Sequence, residues 1–398
     1  MKKLICVLLA LLLLSGCSGS KDERVTINVY NWGQYISEGD DGCIDVIAEF
    51  EKAYPNIRVN YVTFDSNETM YTKMAGGGIT VDVIIPSDYM VGRLAQEGML
   101  LPLNFDNIPN AALVDPRFQN PSYDPENKYS VPYTWGTVGI IYNTKYVDEA
   151  DVTGWEILWN ENSEGEQLDY AGKILMFDNS RDAFAIAQCR LGYSMNTTDK
   201  EELLKCAKLL EQQRPVVQQY IMDQVFDLME NEEAWIAPYY AGDYLTMSGE
   251  NEDLAFYLPG DQGFNLFVDA MCIPTCCENK EAAETFINFL CDPQIAGGNM
   301  DWICYSTPIS AAKEYMELDE EMESINYPSA EVLDKGTSYL SMPRETTRYV
   351  DSLFMRVRNG ISLEKQAGNQ VLVWIAVIAA AAALVSVAFL LLKKRKTK

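Results

Sequence analysis

Strand and helix patterns alternate along residues 25–85, and this alternation limits the fold more than any other feature. Apolar and polar residues alternate over 25–29, which predicts a half-buried strand. Apolar residues over 44–54 recur at spacings of three and four, which predicts a helix that ends before a Pro-Asn pair. Strands predicted over 57–61 and 81–85 complete a β-α-β-α-β order. This order predicts an α/β fold with a mostly parallel sheet.

The loops that follow these strands are the expected ligand site. In open α/β sheets, ligands bind beyond the carboxyl ends of the strands. The loops in question cover residues 31–36, 64–67 and 86–90. The remaining predicted elements are strands over 136–143, 174–177 and 267–273, and helices over 200–211, 280–290 and 344–358.

The first 17 residues have the pattern of a lipoprotein signal peptide. Two lysines precede an apolar stretch, and the run Leu14-Ser15-Gly16-Cys17 closes it. We therefore predict a signal peptide over residues 1–16 and a lipid on Cys17. An ordinary secretory signal with an incidental cysteine is the alternative.

The other end of the chain predicts a membrane span. Residues 371–392 form an unbroken apolar run, about the ~20 residues that a spanning helix needs. Five of the six residues at 393–398 are basic, which predicts a cytoplasmic tail. We therefore expect a protein of the cell membrane whose large central part lies on the extracytoplasmic side, extracellular or periplasmic.

The charge balance argues against nucleic acid as a partner. The chain has 58 acidic and 31 basic residues and no histidine, with a formal net charge of −27. A nucleic-acid backbone requires a basic surface, so a cationic small molecule is the better expectation. Without histidine, Ser-His-Asp and Cys-His hydrolases and histidine zinc sites are excluded. We expect no metal and no cofactor, while paired carboxylates leave glycoside hydrolysis open.

Eight cysteines lie between the two end segments. They are Cys43, Cys189, Cys206, Cys272, Cys276, Cys277, Cys291 and Cys304. An even number in an exported chain permits disulfides, but a domain of this size buries a core without them. The group at 272–277 lacks the paired CxxC spacing of a metal site. We predict no disulfide framework and mostly free thiols.

Several short sequences carry a resemblance to a known family. They occur in the family's order and extend the resemblance over about residues 25–360. They are Tyr30-Asn31-Trp32, Ser66-Asn67-Glu68-Thr69-Met70-Tyr71, Ile85-Pro86-Ser87, Tyr129-Ser130-Val131-Pro132-Tyr133-Thr134-Trp135-Gly136, Leu191-Gly192-Tyr193 and Asp269-Ala270-Met271. In these segments the chain resembles the spermidine/putrescine-binding proteins of ABC transporters.

The resemblance implies a two-lobed α/β protein with a type II periplasmic-binding-protein-like fold. It places one lobe at 25–135 with 268–312, and the other at 136–267 with 313–362. It also implies a non-enzymatic subunit of an ABC importer, which closes its lobes over spermidine or putrescine and delivers the polyamine to permease subunits. Which polyamine is preferred stays open. Another cation such as iron, or a carbohydrate-active enzyme with paired carboxylates, is the alternative.

The resemblance also implies a set of polyamine-binding residues. They are Trp32, Tyr35, Ser87, Tyr89, Asp182, Tyr239, Phe267, Asp269 and Tyr305. Carboxylates suit the ammonium groups, and aromatic rings suit both the methylenes and the charge. Ser87 has the alternative role of a helix N-cap, and Trp32, Tyr89 and Tyr305 have that of core packing. Asp269 interrupts an apolar run, and a carboxylate in a buried strand needs a cation, which favours a binding role.

Overall fold

A computed structural model describes residues 24–363 of the chain. Its ten strands in this range are β1 (Val25–Trp32), β2 (Ile57–Phe64), β3 (Val83–Ile84), β4 (Ser130–Asn143), β5 (Ile174–Phe177), β6 (Val217–Ile221), β7 (Ile236–Tyr240), β8 (Leu254–Tyr257), β9 (Phe264–Cys272) and β10 (Gly336–Thr337). The α-helices of this range are α1 (Val46–Ala53), α2 (Asn67–Ala75), α3 (Asp88–Gln96), α4 (Ser180–Leu191), α5 (Lys200–Gln213), α6 (Val225–Glu230), α7 (Ala241–Glu250), α8 (Lys280–Leu290), α9 (Pro293–Ile303), α10 (Glu320–Asn326), α11 (Ala330–Leu333) and α12 (Arg344–Arg358).

The strands form a mixed sheet in the order β2-β1-β3-β9-β4-β7-β5-β6. The β1–β2 and β1–β3 pairs are parallel, as are the β5–β6 and β5–β7 pairs. Strand β9 is antiparallel to both β3 and β4, and β4 is antiparallel to β7. The prediction of a mostly parallel sheet is therefore correct for each end of the sheet and wrong for its centre.

Strand β4 joins the two ends of the sheet. Its residues 130–137 pair with β9, and residues 138–142 pair with β7. All fourteen of its residues are buried. A fully buried strand has a continuous apolar sequence, which predicts it well. Pro132 argues against a strand in the first half of β4, so that half was not predicted. The proline lies where the register with β9 shifts, so the strand begins at Ser130 and not at Gly136 as predicted.

Helices cover the two ends of the sheet separately and define two lobes. In the first lobe, α1, α2, α3 and α8 pack around β1, β2, β3 and β9, and the ring of Phe50 meets that of Phe286 edge-on at 4.9 Å. In the second lobe, α4, α5, α7 and α12 pack around β5 to β8. Helices predicted over 280–290 and 344–358 have those bounds, and the one predicted over 200–211 extends to Gln213. The residue limits of the lobes given above stay a prediction.

The membrane part of the predicted fold class needs correction. The signal peptide over 1–16, Cys17, the transmembrane helix predicted over 371–392 and the tail over 393–398 all lie outside the described residues. Within residues 24–363, none of the helices combines the length and the apolar character needed to cross a bilayer. The fold class supported by the structure is thus the two-lobed α/β fold alone.

Candidate functional site

A cavity of about 380 Å³ lies between the two lobes. Its walls come from the loops after β1, β2 and β3, from the starts of α4 and α7, and from β9. All nine residues predicted to bind a polyamine line it, namely Trp32, Tyr35, Ser87, Tyr89, Asp182, Tyr239, Phe267, Asp269 and Tyr305. The structure thus brings together residues from six separate segments, while their binding role stays a prediction.

Asp269 is a buried residue of the cavity wall, and one of its two carboxylate oxygens has no hydrogen-bond partner among the described residues. It lies two residues from Phe267 on β9, so both side chains project from the same face of the strand. The Tyr35 hydroxyl, itself 2.6 Å from Thr134 Oγ1, donates a 2.7 Å hydrogen bond to Asp269 Oδ2. Among the described residues none hydrogen-bonds to Oδ1, although Asp269 is only 4 % exposed.

Burial has a direct effect on the charge of this group. It raises the pKa of Asp269 from the usual 3.8 to about 6, and the side chains of Tyr35 and Ser87 oppose the rise. A buried carboxylate is costly unless a cation pairs with it. The unpartnered Oδ1 of Asp269 is therefore a position where a ligand cation gains a strong partner.

Asp182 is held in one orientation by three neutral side chains. It lies in the first turn of α4, where Asn179 is the N-cap and accepts a 2.8 Å bond from the Asp182 backbone N–H. The amide of Asn179 also donates to Asp182 Oδ2 at 2.7 Å. The Tyr240 hydroxyl donates to Oδ2 at 2.9 Å, and the Tyr339 hydroxyl to Oδ1 at 2.7 Å. The carboxylate is thus oriented before any ligand arrives.

Four aromatic rings follow one another along the wall. Tyr35 and Tyr305 meet edge-on at 5.0 Å, Tyr305 and Phe267 at 6.2 Å, and Phe267 and Tyr240 at 5.4 Å. Tyr305 reaches its position because Gly242 has no side chain. A Cβ atom at Gly242 would lie 2.4 Å from the Tyr305 ring. These rings give the cavity apolar surface between its carboxylates.

Trp32 and Tyr89 contribute to the wall from the first lobe. Trp32 ends β1, and its ring lies 4.7 Å from that of Phe64. The Tyr89 hydroxyl donates to Glu68 Oε1 at 3.0 Å and accepts from the Asn67 amide at 3.0 Å. Burial raises the pKa of Glu68 above its usual 4.5, and Asp182 and other carboxylates raise it further.

The cavity has a strong excess of negative charge. Nine carboxylates line it, namely Asp65, Glu68, Asp88, Asp178, Asp182, Asp223, Asp227, Asp243 and Asp269. Within residues 24–363, the only cation of the lining is Arg181. Its guanidinium donates to Asn196 Oδ1 at 2.7 Å and lies 4.3 Å from the centre of the Tyr339 ring. The hydrogen bonds of Arg181 go to neutral groups, while its charge opposes the rise that burial causes in the pKa of Asp88.

Comparison with known proteins identifies the family. Residues 45–324 match the profile of a family described as bacterial extracellular solute-binding proteins. The chain belongs to this family. A curated relative from Escherichia coli K12, the spermidine/putrescine-binding periplasmic protein, is 31 % identical over 316 residues, which cover 79 % of this chain and 86 % of that protein.

Solved structures of other family members share the fold of this solute-binding protein. A putative spermidine/putrescine ABC transporter protein from Listeria monocytogenes has 35 % identity and a TM-score of 0.76, over 84 % of this chain and 98 % of that one. A spermidine/putrescine ABC transporter substrate-binding protein from Streptococcus pneumoniae has 34 % identity and a TM-score of 0.70, over 85 % and 100 %. The two-lobed fold is thus that of its solved relatives.

The structure of this solute-binding protein adds four residues that the sequence did not single out. They are Glu68, Tyr240, Asp243 and Tyr339, all of which line the cavity. Glu68 lies within one of the short sequences quoted above. Tyr240 and Asp243 come where β7 ends and α7 begins, so the rule that ligand sites follow strand ends would have found them had β7 been predicted. Tyr339 has no comparable signal.

Asp243 is a further carboxylate of the cavity whose pKa is raised. Burial raises the pKa of Asp243 from the usual 3.8 to about 7. The hydrogen bond from Tyr305 lowers this pKa, and the negative charge of Asp223 raises it. A cation bound beside Asp243 would favour its ionised form.

One alternative raised by the sequence, the N-cap role of Ser87, is decided by local geometry. Ser87 occupies the N-cap position of α3, but its side chain makes no capping hydrogen bond, and its backbone pairs with that of Asp269. Tyr239 is 2 % exposed and stacks on Phe177 at 5.4 Å, so it combines a packing role with its place on the wall. The thiols of Cys189, Cys206, Cys272, Cys276, Cys277, Cys291 and Cys304 are free.

Proposed function

We propose that the protein captures polyamines, spermidine or putrescine, on the extracytoplasmic side and delivers them to an ABC permease. The observation that supports this proposal is the composition of the cavity wall, which combines nine carboxylates and a single arginine with aromatic rings within the described residues. A polyamine is a chain of methylenes with ammonium groups at intervals, so it requires carboxylates separated by apolar surface. The protein is a binding protein and not an enzyme.

In the proposed complex, an ammonium group pairs with Oδ1 of Asp269. This contact supplies the cation that the buried carboxylate lacks. Asp182, Glu68 and Asp243 are the proposed partners for further ammonium groups, because they line the same cavity. The aromatic rings contact the methylenes, and each ring facing an ammonium group adds about 0.5–2 kcal/mol.

Closure of the two lobes follows from where these groups lie. Trp32 and Tyr35 belong to the first lobe, and Asp182 and Tyr240 to the second. A ligand that contacts both sets binds the closed arrangement more tightly than an open one, and it therefore shifts the population toward closure. We propose that the protein reaches the permease subunits in its closed form.

We also propose that a lipid on Cys17 holds the protein at the membrane. The run Leu14-Ser15-Gly16-Cys17 supports this proposal. Cells fed radiolabelled palmitate should label the wild-type chain, and Cys17→Ser should not be labelled. Equal labelling of both would contradict the proposal.

The two other functions that the sequence left open are not favoured. The relatives are named for spermidine and putrescine, not for iron or for a carbohydrate.

Calorimetric titration tests the proposed function. Spermidine and putrescine are titrated into the wild-type protein at fixed ionic strength, with 1,4-butanediol as a control that has the putrescine backbone without its charges. We expect at least one polyamine to bind well below about 1 mM and the diol not to bind. If neither polyamine bound more tightly than about 1 mM, the proposed function would be wrong.

A further inference from the structure

A cluster of four side chains joins the two lobes outside the ligand cavity. Arg344 Nη2 lies 3.2 Å from Glu97 Oε1 and donates to the Tyr71 hydroxyl at 3.2 Å. The Tyr71 hydroxyl donates in turn to Glu97 Oε2 at 2.6 Å. Arg93 Nε lies 3.2 Å from Glu97 Oε1, and its guanidinium lies 3.6 Å from the centre of the Tyr71 ring. We call these four residues the latch.

The latch crosses the cleft. Arg344 is the first residue of α12, which packs on α4 and α5 in the second lobe. Tyr71 lies on α2, Arg93 on α3, and Glu97 directly after α3, all in the first lobe. None of the four latch residues lines the candidate cavity. Apart from the long-range effect of its charge, any effect of Arg344 on ligand binding therefore acts through the arrangement of the lobes.

We propose that Arg344 is a positioning residue that keeps the lobes closed over the bound polyamine and so slows its release. This inference rests on the proposed function. A ligand enclosed between two lobes leaves only after they separate, and separation breaks the contacts of Arg344 with Glu97 and Tyr71. Contacts made only in the closed state raise its population and retain the ligand without touching it.

The size of the effect is bounded by the exposure of the pair. The Arg344 side chain is 57 % exposed and that of Glu97 27 %, and single exposed ion pairs contribute little. Here Glu97 also accepts from Arg93 and Tyr71, so its carboxylate is already fixed in place when Arg344 binds. We expect loss of the Arg344 contacts to speed ligand release by about 3- to 10-fold.

The sign of the effect separates the latch from general electrostatics. Removing a positive charge makes an acidic protein more attractive to a cationic ligand, so electrostatics alone predicts tighter binding by Arg344→Gln. The latch predicts weaker binding. Lys200→Gln is the matched control, because it also removes one positive charge. Lys200 on α5 pairs with Glu345 on α12 at 2.5 Å, and both residues belong to the second lobe.

Stopped-flow measurement of spermidine release from the full chain tests the proposal. Arg344→Gln should raise the dissociation rate about 3- to 10-fold and leave the association rate within about twofold, whereas Lys200→Gln should resemble wild type. Arg344→Lys should fall between them, because an ammonium group lacks the guanidinium fork. Equal dissociation rates for Arg344→Gln and Lys200→Gln would overturn the proposal.

A measurement without ligand separates this inference from the proposed function. Small-angle scattering should give Arg344→Gln a larger radius of gyration than Lys200→Gln, since fewer molecules are closed. If the wild type bound neither polyamine, the proposed function would be wrong and scattering alone would decide the latch. Equal radii in that case would overturn it.

Discussion

The hydroxyl group of Tyr35 donates to one oxygen of Asp269, 234 positions away in the chain, and the other oxygen of this buried carboxylate is left without a partner. The hydrogen bond fixes the orientation of the carboxylate, so the unpartnered oxygen has one position in the cavity. A site prepared in this way loses little conformational entropy when a cation binds. It also makes Asp269 the residue whose change is most informative.

Asp269→Asn should weaken polyamine binding by roughly 30-fold or more. The substitution keeps the size of the side chain but leaves a desolvated ammonium group without its counter-charge, which costs about 2–5 kcal/mol. Calorimetric titration of spermidine measures the change. Asp106→Asn, at an exposed position, removes the same charge away from the cavity and should bind like wild type. Unchanged binding by Asp269→Asn would show that the site assignment is wrong.

Polyamine affinity should rise as the pH increases from about 5 to about 8. The pKa of Asp269 is raised to about 6 and that of Asp243 to about 7, so both become carboxylates within this range. Amine groups stay protonated there, since the ordinary pKa of an alkyl ammonium is about 10.4. Titrations at several pH values and one ionic strength test this. Asp243→Asn should flatten the upper part of the curve, and an affinity that falls over the range would contradict the prediction.

The ligand-free protein should become less stable over the same pH range. A carboxyl whose pKa is raised by folding holds its proton more tightly in the folded state, so its contribution to stability is lost as the pH rises through the folded-state value. Glu97, Glu232 and Glu345 have lowered pKa values and act in the opposite direction, but below about pH 4.5. Melting temperatures without ligand should therefore fall from pH 5 to pH 8, and saturating spermidine should reduce the fall. A rise without ligand would count against this.

Gly242→Ala should weaken polyamine binding by about 2- to 30-fold. Alanine is the better helix former by about 1 kcal/mol, but its Cβ atom would displace the Tyr305 ring from the wall. The expected loss corresponds to one cation–π contact of about 0.5–2 kcal/mol. Gly249→Ala lies on the same helix with nothing within 4 Å of its Cβ position, and it should bind like wild type. Equal titration curves for both variants would refute the role given to Gly242.

Reduction should change the melting temperature little. Seven cysteines of the described residues, Cys189, Cys206, Cys272, Cys276, Cys277, Cys291 and Cys304, are free thiols. Burial raises the pKa of several of them, that of Cys291 to about 12, which keeps them unreactive. Thiol titration of the denatured, unreduced protein should count these seven as free. A drop of several degrees on reduction, as expected for loss of a disulfide worth about 2–4 kcal/mol, would disprove this.

Local sequence patterns determined much of the fold. The alternation over 25–29 and the apolar spacing over 44–54 depend only on neighbouring residues, and β1 and α1 form there. The helices at Lys280–Leu290 and Arg344–Arg358 are determined in the same way. The resemblance to a known family supplied the nine cavity residues, since it includes information on distant positions that a pattern of period 2 or 3.6 does not carry.

Only the tertiary structure decided which distant residues meet. Tyr240 and Tyr339 reach Asp182 from 58 and 157 positions away, and Arg344 reaches Glu97 from 247 positions away. The first half of β4 forms despite Pro132, because a register shift accommodates a residue that cannot donate to the ladder. Such contacts depend on how β4 and β9 cross between the lobes, and no local period records that crossing. Local patterns therefore determined elements such as β1, α1, α8 and α12, and the resemblance indicated the kind of site. Long-range packing decided the partners of each carboxylate.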